Sequence, residues 1–427
     1  MNEDLERVRG EIPGPQTRAL TAPLLAHESR NVTYVGDDFP VFWKSAQGAT
    51  VEDVDGNRYI DLTAAFGVAS VGHSNPAVVA AVAQQAATLM HGMGDVHPTA
   101  VRTQLLERLA RVLPSGLTKT FLATTGSEAV EAALKTAVLA TGKHRFVAYE
   151  GAYHGLSLGA LSVGGIPKFA EPFADLIPQV ALRLPYPDAL STKAKDALAA
   201  LRVALDPHDD IAAIVIEPIQ GRGGCVVPPD GYLAGLRTYC DARGILLIFD
   251  EIYTGFGRTG TWFACEHEHT IPDIMCIGKA MGGGFPISAA VARTAVMDAW
   301  PRSTGEALHT STYLGNPMGC AAALATIGEL ERLALPAQAR ELGELIERRL
   351  QELLEHPRVV AMRGRGAMWG LQLRSAADAD HVVKAALARG VLLLQAGPQG
   401  DVLSITPPLV ISPHQLQRAL ELIKEVL

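Results

Sequence analysis

Between about residues 76 and 330 the chain alternates short apolar runs with helical stretches, and no other feature constrains its fold as tightly. The runs fall at 118–123, 145–149, 211–216, 245–249 and 273–277. Each is too short for a helix of its own and lacks the polar alternation of a strand with one wet face. Such runs are strands buried on both faces, and strands separated by helices build a mostly parallel sheet with helices packed on either side. The expected class is therefore α/β.

The ends of the chain read differently. The first 40 or so residues are polar and punctuated by proline, as in an arm lying on the surface or on another subunit. Residues 41–62 alternate and turn at Asp55-Gly56, the pattern of a small antiparallel hairpin. Beyond Cys320, leucines and isoleucines at helical spacing predict a helix over 337–355. Short strands follow at 368–373, 391–395 and 402–406, with a helix over 375–389 stopped by Gly390. Ser412 as N-cap and Pro413 at the first position open a last helix to residue 426. The expected organisation is an N-terminal arm and hairpin over 1–75, a large domain over 76–320, and a smaller α+β domain over 321–427 that the hairpin joins.

With 48% hydrophobic and 19% charged residues the chain has the make-up of a packed enzyme rather than a disordered segment. Its formal net charge of −8 argues against nucleic acid or an anionic membrane as main partner. No stretch approaches the ~20 consecutive apolar residues of a membrane span. The charged start MNEDLERVRG has no apolar signal core, so a cytoplasmic location is expected. The five cysteines are scattered with no CxxC pair, which argues for reduced, buried thiols. His73, His97, His154 and His309 stand apart without metal-ligand spacing, so no metal site is expected.

Three segments carry chemistry. Thr124-Thr125-Gly126-Ser127-Glu128 lies between an apolar strand and an alanine-rich helix, and Thr125 with Glu128 makes a capping box. Gly126 lets a ligand approach the backbone, and the free N–H groups of the helix start suit a phosphate. Taken alone, the segment reads better as an ordinary strand–turn–helix junction. Asp250 and Glu251 follow five apolar residues, which places carboxylates at the C-terminal end of a buried strand, the edge where open α/β sheets bind ligands. A carboxylate there needs a cationic partner, and a protonated pyridine nitrogen would serve; capping of backbone N–H groups would serve as well. Lys279 follows another apolar strand and precedes Gly282-Gly283-Gly284, a poor setting for a solvated surface charge. A buried lysine with a depressed pKa is a Schiff-base nucleophile.

In this order the segments resemble the class III aminotransferases, fold-type-I enzymes that use pyridoxal 5′-phosphate (PLP). The likeness extends from about residue 40 to the end. It includes Gly151-Ala152-Tyr153-His154-Gly155, Glu217-Pro218-Ile219-Gln220-Gly221, the run from Asp250 to Gly260, and the run from His309 to Pro317. The resemblance implies that Lys279 carries PLP as a Schiff base and shuttles the substrate proton. It implies that Asp250 pairs with the pyridinium nitrogen, that Tyr153 and Ile252 cover the two ring faces, and that Gly126 and Ser127 hold the phosphate. Thr312 is expected to reach the phosphate of a neighbouring subunit, making a homodimer the minimal active unit. Phe66 is expected to line the substrate pocket.

Departures from the family pattern bear on the substrate. Tyr253 stands where many relatives carry glutamine near the cofactor ring oxygen. Leu156 stands where 4-aminobutyrate transaminases carry an arginine for the distal carboxylate, and is expected to line an apolar route with Phe66. Ser404 takes the place of the arginine that usually grips a substrate carboxylate and pairs with the glutamate aligned to Glu217. Arg222 is the nearest candidate to replace that arginine beside Glu217. The expected activity is transfer of an amino group from an amine, with ω-amines and diamines favoured over 4-aminobutyrate, to a keto acid or aldehyde. A PLP lyase or aminomutase acting on phosphorylated or phosphonylated amines is the alternative on the same scaffold. A non-catalytic relative is disfavoured, because Lys279 and Asp250 are both present.

Overall fold

The computed structural model describes residues 5–427; the first four residues of the expected arm lie outside them. The central sheet has seven strands in the order β4-β10-β9-β8-β7-β5-β6. These are β4 (Leu117–Ala123), β5 (Arg145–Tyr149), β6 (Ala181–Leu184), β7 (Ile211–Ile216), β8 (Leu246–Asp250), β9 (Ile274–Ile277) and β10 (Ser288–Arg293). Every residue of β7 and β9 is buried, as strands covered on both faces require. One face carries the alanine-rich helix Gly126–Thr141, whose Ala129, Ala132, Ala133 and Ala137 are fully buried. Small side chains there let the helix approach the sheet closely.

Strand direction decides where the site forms. β5, β7, β8 and β9 pair in parallel, whereas β10 runs antiparallel to both β9 and β4. β4 therefore points the same way as the parallel strands. The C-terminal ends of all five meet at one edge; Asp250 is the last residue of β8, and the segments after the other four carry Thr124–Glu128, Gly151–Gly155, Glu217 and Lys279.

Two smaller sheets flank that edge. The hairpin strands β1 (Trp43–Gln47), β2 (Thr50–Asp53) and β3 (Arg58–Asp61) are joined by β13 (Val391–Leu392), which pairs in parallel with β3. The third sheet is antiparallel, in the order β11-β12-β15-β14: β11 (Val359–Arg365), β12 (Met368–Leu373), β15 (Val402–Ile405) and β14 (Leu394–Ala396). The predicted strand over 391–395 is thus two short strands, β13 and β14, that serve different sheets. The helix predicted over 337–355 runs Leu335–Gln351, and the last helix, Pro413–Val426, opens with a Ser412–Gln415 capping box. A division of the chain at 320/321 would cut the helix Pro317–Arg332, which packs on the helix Pro76–Thr88.

The N-terminal region is more structured than an arm. It contains the helix Pro15–His27, and Val32, Tyr34 and Phe39 beyond it line the main cavity. Among the described residues no helix is long and apolar enough to cross a membrane.

Arg258 fastens the parts together. It is fully buried and donates to the carbonyls of Ala367 (3.1 Å) and Pro407 (2.6 Å) and to Ser70 Oγ (3.0 Å). Burial lowers its pKa to about 10, still high enough to leave it cationic at neutral pH. One guanidinium so ties the loop after β8 to the turn after the hairpin and to the C-terminal sheet.

Candidate active site

A cavity of about 960 Å³ opens at the C-terminal edge of the central sheet. Of the site residues expected from sequence, Gly126, Ser127, Tyr153, Asp250, Ile252, Tyr253, Lys279, Phe66, Glu217, Arg222 and Ser404 all line it. Leu156 does not: its side chain is half exposed on the surface beyond Gly155. The apolar route assigned to it belongs instead to Val32, Tyr34, Phe39, Phe169, Val383 and Leu393. Thr312 is also outside the cavity of its own chain, exposed on the surface.

The helix Gly126–Thr141 begins at the cavity wall. Thr125 Oγ1 accepts from the Glu128 N–H (3.3 Å), while Glu128 Oε2 accepts from the N–H groups of Thr124 (2.7 Å) and Thr125 (3.2 Å). This box leaves the Gly126 and Ser127 N–H groups without intrahelical partners at the positive end of the helix dipole. A larger residue would crowd its neighbours at either of two glycines here. A Cβ on Gly126 would lie 2.9 Å from Ile252 Cδ1, and one on Gly155 would lie 2.0 Å from Ser127 Oγ.

Asp250, at the end of β8, is almost completely buried. Its Oδ1 accepts from the Ile252 N–H (3.0 Å), and its Oδ2 lies 2.7 Å from His154 Nδ1. Burial works to strip the proton from His154, but the hydrogen bond and the charges of Asp250 and Glu217 outweigh it, so the pKa of His154 is raised. Its other nitrogen, Nε2, is buried without a partner. Sequence reasoning set His154 aside because it matches no metal spacing; nothing in the sequence says that it faces a carboxylate 96 residues away. Glu251, the second acid of the pair, turns away from the cavity. It accepts from Thr254 Oγ1 (2.6 Å) and from the N–H groups of Ala264 (2.8 Å) and Cys265 (2.7 Å), which is the capping role weighed for this pair.

Lys279 follows β9 with a φ of +43°, a left-handed conformation uncommon for a side chain of this size and typical of strained functional positions. Burial lowers the pKa of its amine, while Asp250 and Glu217 pull it back up. Its Nζ lies 3.9 Å from the centre of the Tyr253 ring. That ring is held in a slot between two glycines: a Cβ on Gly67 would meet it at 2.2 Å and one on Gly221 at 2.1 Å. The Tyr253 hydroxyl is committed to Thr406 Oγ1 at 3.0 Å. Beside the slot, Ala64, Ala65, Phe66 and Gly67 all have positive φ, which turns the Phe66 side chain out into the cavity.

Glu217 is not paired with Arg222, the nearest candidate that the sequence offers for it. Its Oε1 accepts from the Tyr153 N–H and its Oε2 from the Gly221 N–H, both at 2.9 Å. Burial is the main influence on it and lifts its pKa to about 7. Arg222 instead donates from Nη1 to the Gln395 carbonyl (2.9 Å). Two backbone amides supply what an arginine would otherwise have supplied to Glu217.

These donors fit PLP: a helix start with open N–H groups for a phosphate, a buried carboxylate for a ring nitrogen, an amine of depressed pKa for the aldehyde carbon, and Tyr153 and Ile252 as walls. Among the described residues no cluster of potential ligands could hold a metal ion.

The comparisons agree with this chemistry. The family pattern of the aminotransferase class III matches residues 33–427. A putrescine aminotransferase of Pectobacterium atrosepticum is 40% identical over 96% of this chain and 87% of its own length. A 4-aminobutyrate aminotransferase of Mycobacterium leprae is 38% identical over 98% and 97%. Among solved structures, a transaminase from the marine bacterium Virgibacillus superposes with a TM-score of 0.90 at 26% identity, covering 96% of this chain and 98% of that one. An omega transaminase from Pseudomonas jessenii in complex with PMP gives 0.89 at 26% identity, covering 95% and 97%.

Proposed function

The chain belongs to the class III aminotransferases, which use PLP, and on that premise we propose that it takes the amino group of an ω-amine or diamine and gives it to a keto acid or aldehyde. When bound, PLP supplies an aldehyde that takes up the amino group and a ring that accepts the electron pair left when the substrate carbon loses its proton. Lys279 would hold the cofactor at its aldehyde carbon, and its amine would move the proton at the reacting substrate carbon; its lowered pKa favours the neutral amine that proton transfer needs. Asp250, held by His154, keeps a proton on the ring nitrogen. The Gly126 and Ser127 N–H groups and the Ser127 hydroxyl hold the phosphate. Tyr153 and Ile252 confine the ring.

The observation that carries the donor reading is the cavity wall. Phe66, Tyr34, Phe39, Phe169 and Leu393 offer a methylene chain an apolar surface, and position 404 carries a neutral serine. Glu217, with two backbone donors and no arginine, can accept the distal ammonium of a diamine. Putrescine is the substrate named for one relative of this chain and 4-aminobutyrate for another, so the test compares the two directly. Steady-state kcat/KM for putrescine, hexylamine and 4-aminobutyrate should rank the amines first, and Glu217→Gln should harm putrescine more than hexylamine. A series led by 4-aminobutyrate would overturn the donor reading.

The functional unit is a homodimer in which Thr312 reaches the phosphate site of the neighbouring subunit. What supports this is the setting of the Thr312 loop: Thr310 Oγ1 donates to Asp95 Oδ2 (3.3 Å) and Asn316 Nδ2 to the Met90 carbonyl (3.1 Å). The loop thus lies against a segment that exposes Met90, Met93 and Val96, and Tyr313 is exposed beside them. Exposed apolar side chains gathered in this way mark a protein interface.

A further inference from the structure

A transaminase admits two substrates to one cavity in turn, and a keto acid brings a carboxylate that the amine donor lacks. We propose that Arg222 is the receptor for that carboxylate; the inference rests on the transaminase reading. Among the described residues lining the cavity Arg222 is the permanent cation; the Lys279 amine, its pKa lowered by burial, is reserved for the reaction. Arg222 is held in place from two sides: its Nη1 donates to the Gln395 carbonyl, and its own carbonyl accepts from the Gly397 N–H, both at 2.9 Å. Among the described residues no carboxylate pairs with it, and the nearby acid Glu217 has both oxygens on backbone N–H groups.

A guanidinium has several donors in a fixed fork, and one bond to a carbonyl leaves an edge free for two parallel bonds to a carboxylate. The position also suits the reaction. Gly221 packs directly on the Tyr253 ring, and the Lys279 amine rests on that same ring. Arg222 is therefore one residue from the wall that carries the reacting amine. Arg222 and Lys279 line the same cavity, so a carboxylate held by the guanidinium stays within the space that the reacting amine faces. Ser404, in the same cavity, adds a hydroxyl and no charge.

The test uses holoenzyme loaded with pyridoxamine phosphate, which bypasses the donor, and single-turnover rates with pyruvate and with acetaldehyde. Arg222→Gln keeps an amide able to bond the Gln395 carbonyl but removes the charge. It should lower the pyruvate rate constant roughly 10- to 100-fold more than the acetaldehyde one, the range for losing a hydrogen bond to a charged group. Arg222→Lys should recover part of the difference. Lactate, which cannot react, should bind PLP-loaded wild-type enzyme in a spectroscopic titration and bind the glutamine variant more weakly by a similar factor, with lactamide as neutral control. Equal losses on pyruvate and acetaldehyde would make Arg222 a structural tie and overturn the proposal, as would lactate binding unchanged by the substitution. If wild-type enzyme transferred to neither carbonyl compound, the transaminase reading would fail, and the lactate titration alone would decide the role of Arg222.

Discussion

His154 Nδ1 and Asp250 Oδ2 lie 2.7 Å apart with both side chains buried, so the segment after β5 holds the carboxylate at the end of β8. A buried carboxylate needs hydrogen-bonded partners. His154, its pKa raised by the same contact, is one of them. Asp250→Asn should therefore keep the fold but lower turnover roughly 100- to 1,000-fold, by analogy with the loss of a preorganised electrostatic partner. His154→Gln should cost less, about 10-fold, because the Ile252 N–H still supports Asp250. Near-wild-type turnover in Asp250→Asn would show that another group protonates the ring.

Lys279→Ala should yield protein without the yellow colour of the bound cofactor and without turnover. Absorbance and steady-state assays on the same preparation check this. Ordinary turnover in the variant would remove Lys279 from the mechanism.

The Tyr253 slot gives a prediction about shape. Gly67→Ala places a methyl group 2.2 Å from the ring at a residue whose φ is +78°. The ring cannot retreat, because Gly221 packs against its opposite edge. Overpacking of this kind costs roughly 1–3 kcal/mol, and the positive φ adds strain. The variant should show a lower Tm and a shifted pH profile of the amine half-reaction, since the ring would move from under Lys279. Unchanged values of both would mean that the slot is not rigid.

Glu217 links stability to pH. Its pKa in the folded chain, about 7, lies above the ordinary 4.5, so the folded state binds its proton more tightly than the unfolded state does. The resulting stability is complete below about pH 4.5 and is lost as pH rises through about 7, a span worth on the order of 3 kcal/mol. His154, also raised, acts in the same direction. Denaturant unfolding at pH 5 and pH 8 should give a smaller difference for Glu217→Gln than for wild type. A difference as large in the variant would place the titration elsewhere.

Thr312→Ala should weaken cofactor retention, and dilution of wild-type enzyme should release cofactor in step with dimer dissociation. Gel filtration with absorbance detection follows both. A stable monomer that keeps its cofactor and full activity would rule out the shared site.

The sequence by itself determined the α/β class, five of the seven strands of the central sheet to within a residue or so at each end, the C-terminal helices, and the residues at strand ends where the chemistry sits. Such features are local: an apolar run, a capping box or a lysine followed by glycines is written in neighbouring residues. What the tertiary structure decided depends on residues far apart in the chain. The slot for Tyr253 needs Gly67 and Gly221, and the partner of Asp250 lies 96 residues before it. The cavity is lined in part by Val32, Tyr34 and Phe39 from a segment that reads as a polar arm. Leu156 follows the Tyr153-His154-Gly155 motif yet points to solvent, because where a loop side chain faces is set by what packs against it. Glu217 and Arg222 were the plausible ion pair by sequence, but backbone N–H groups reach Glu217 and the Gln395 carbonyl reaches Arg222. Backbone donors and acceptors are the same at every residue, so no sequence pattern marks the ones that the fold will bring to a buried charge.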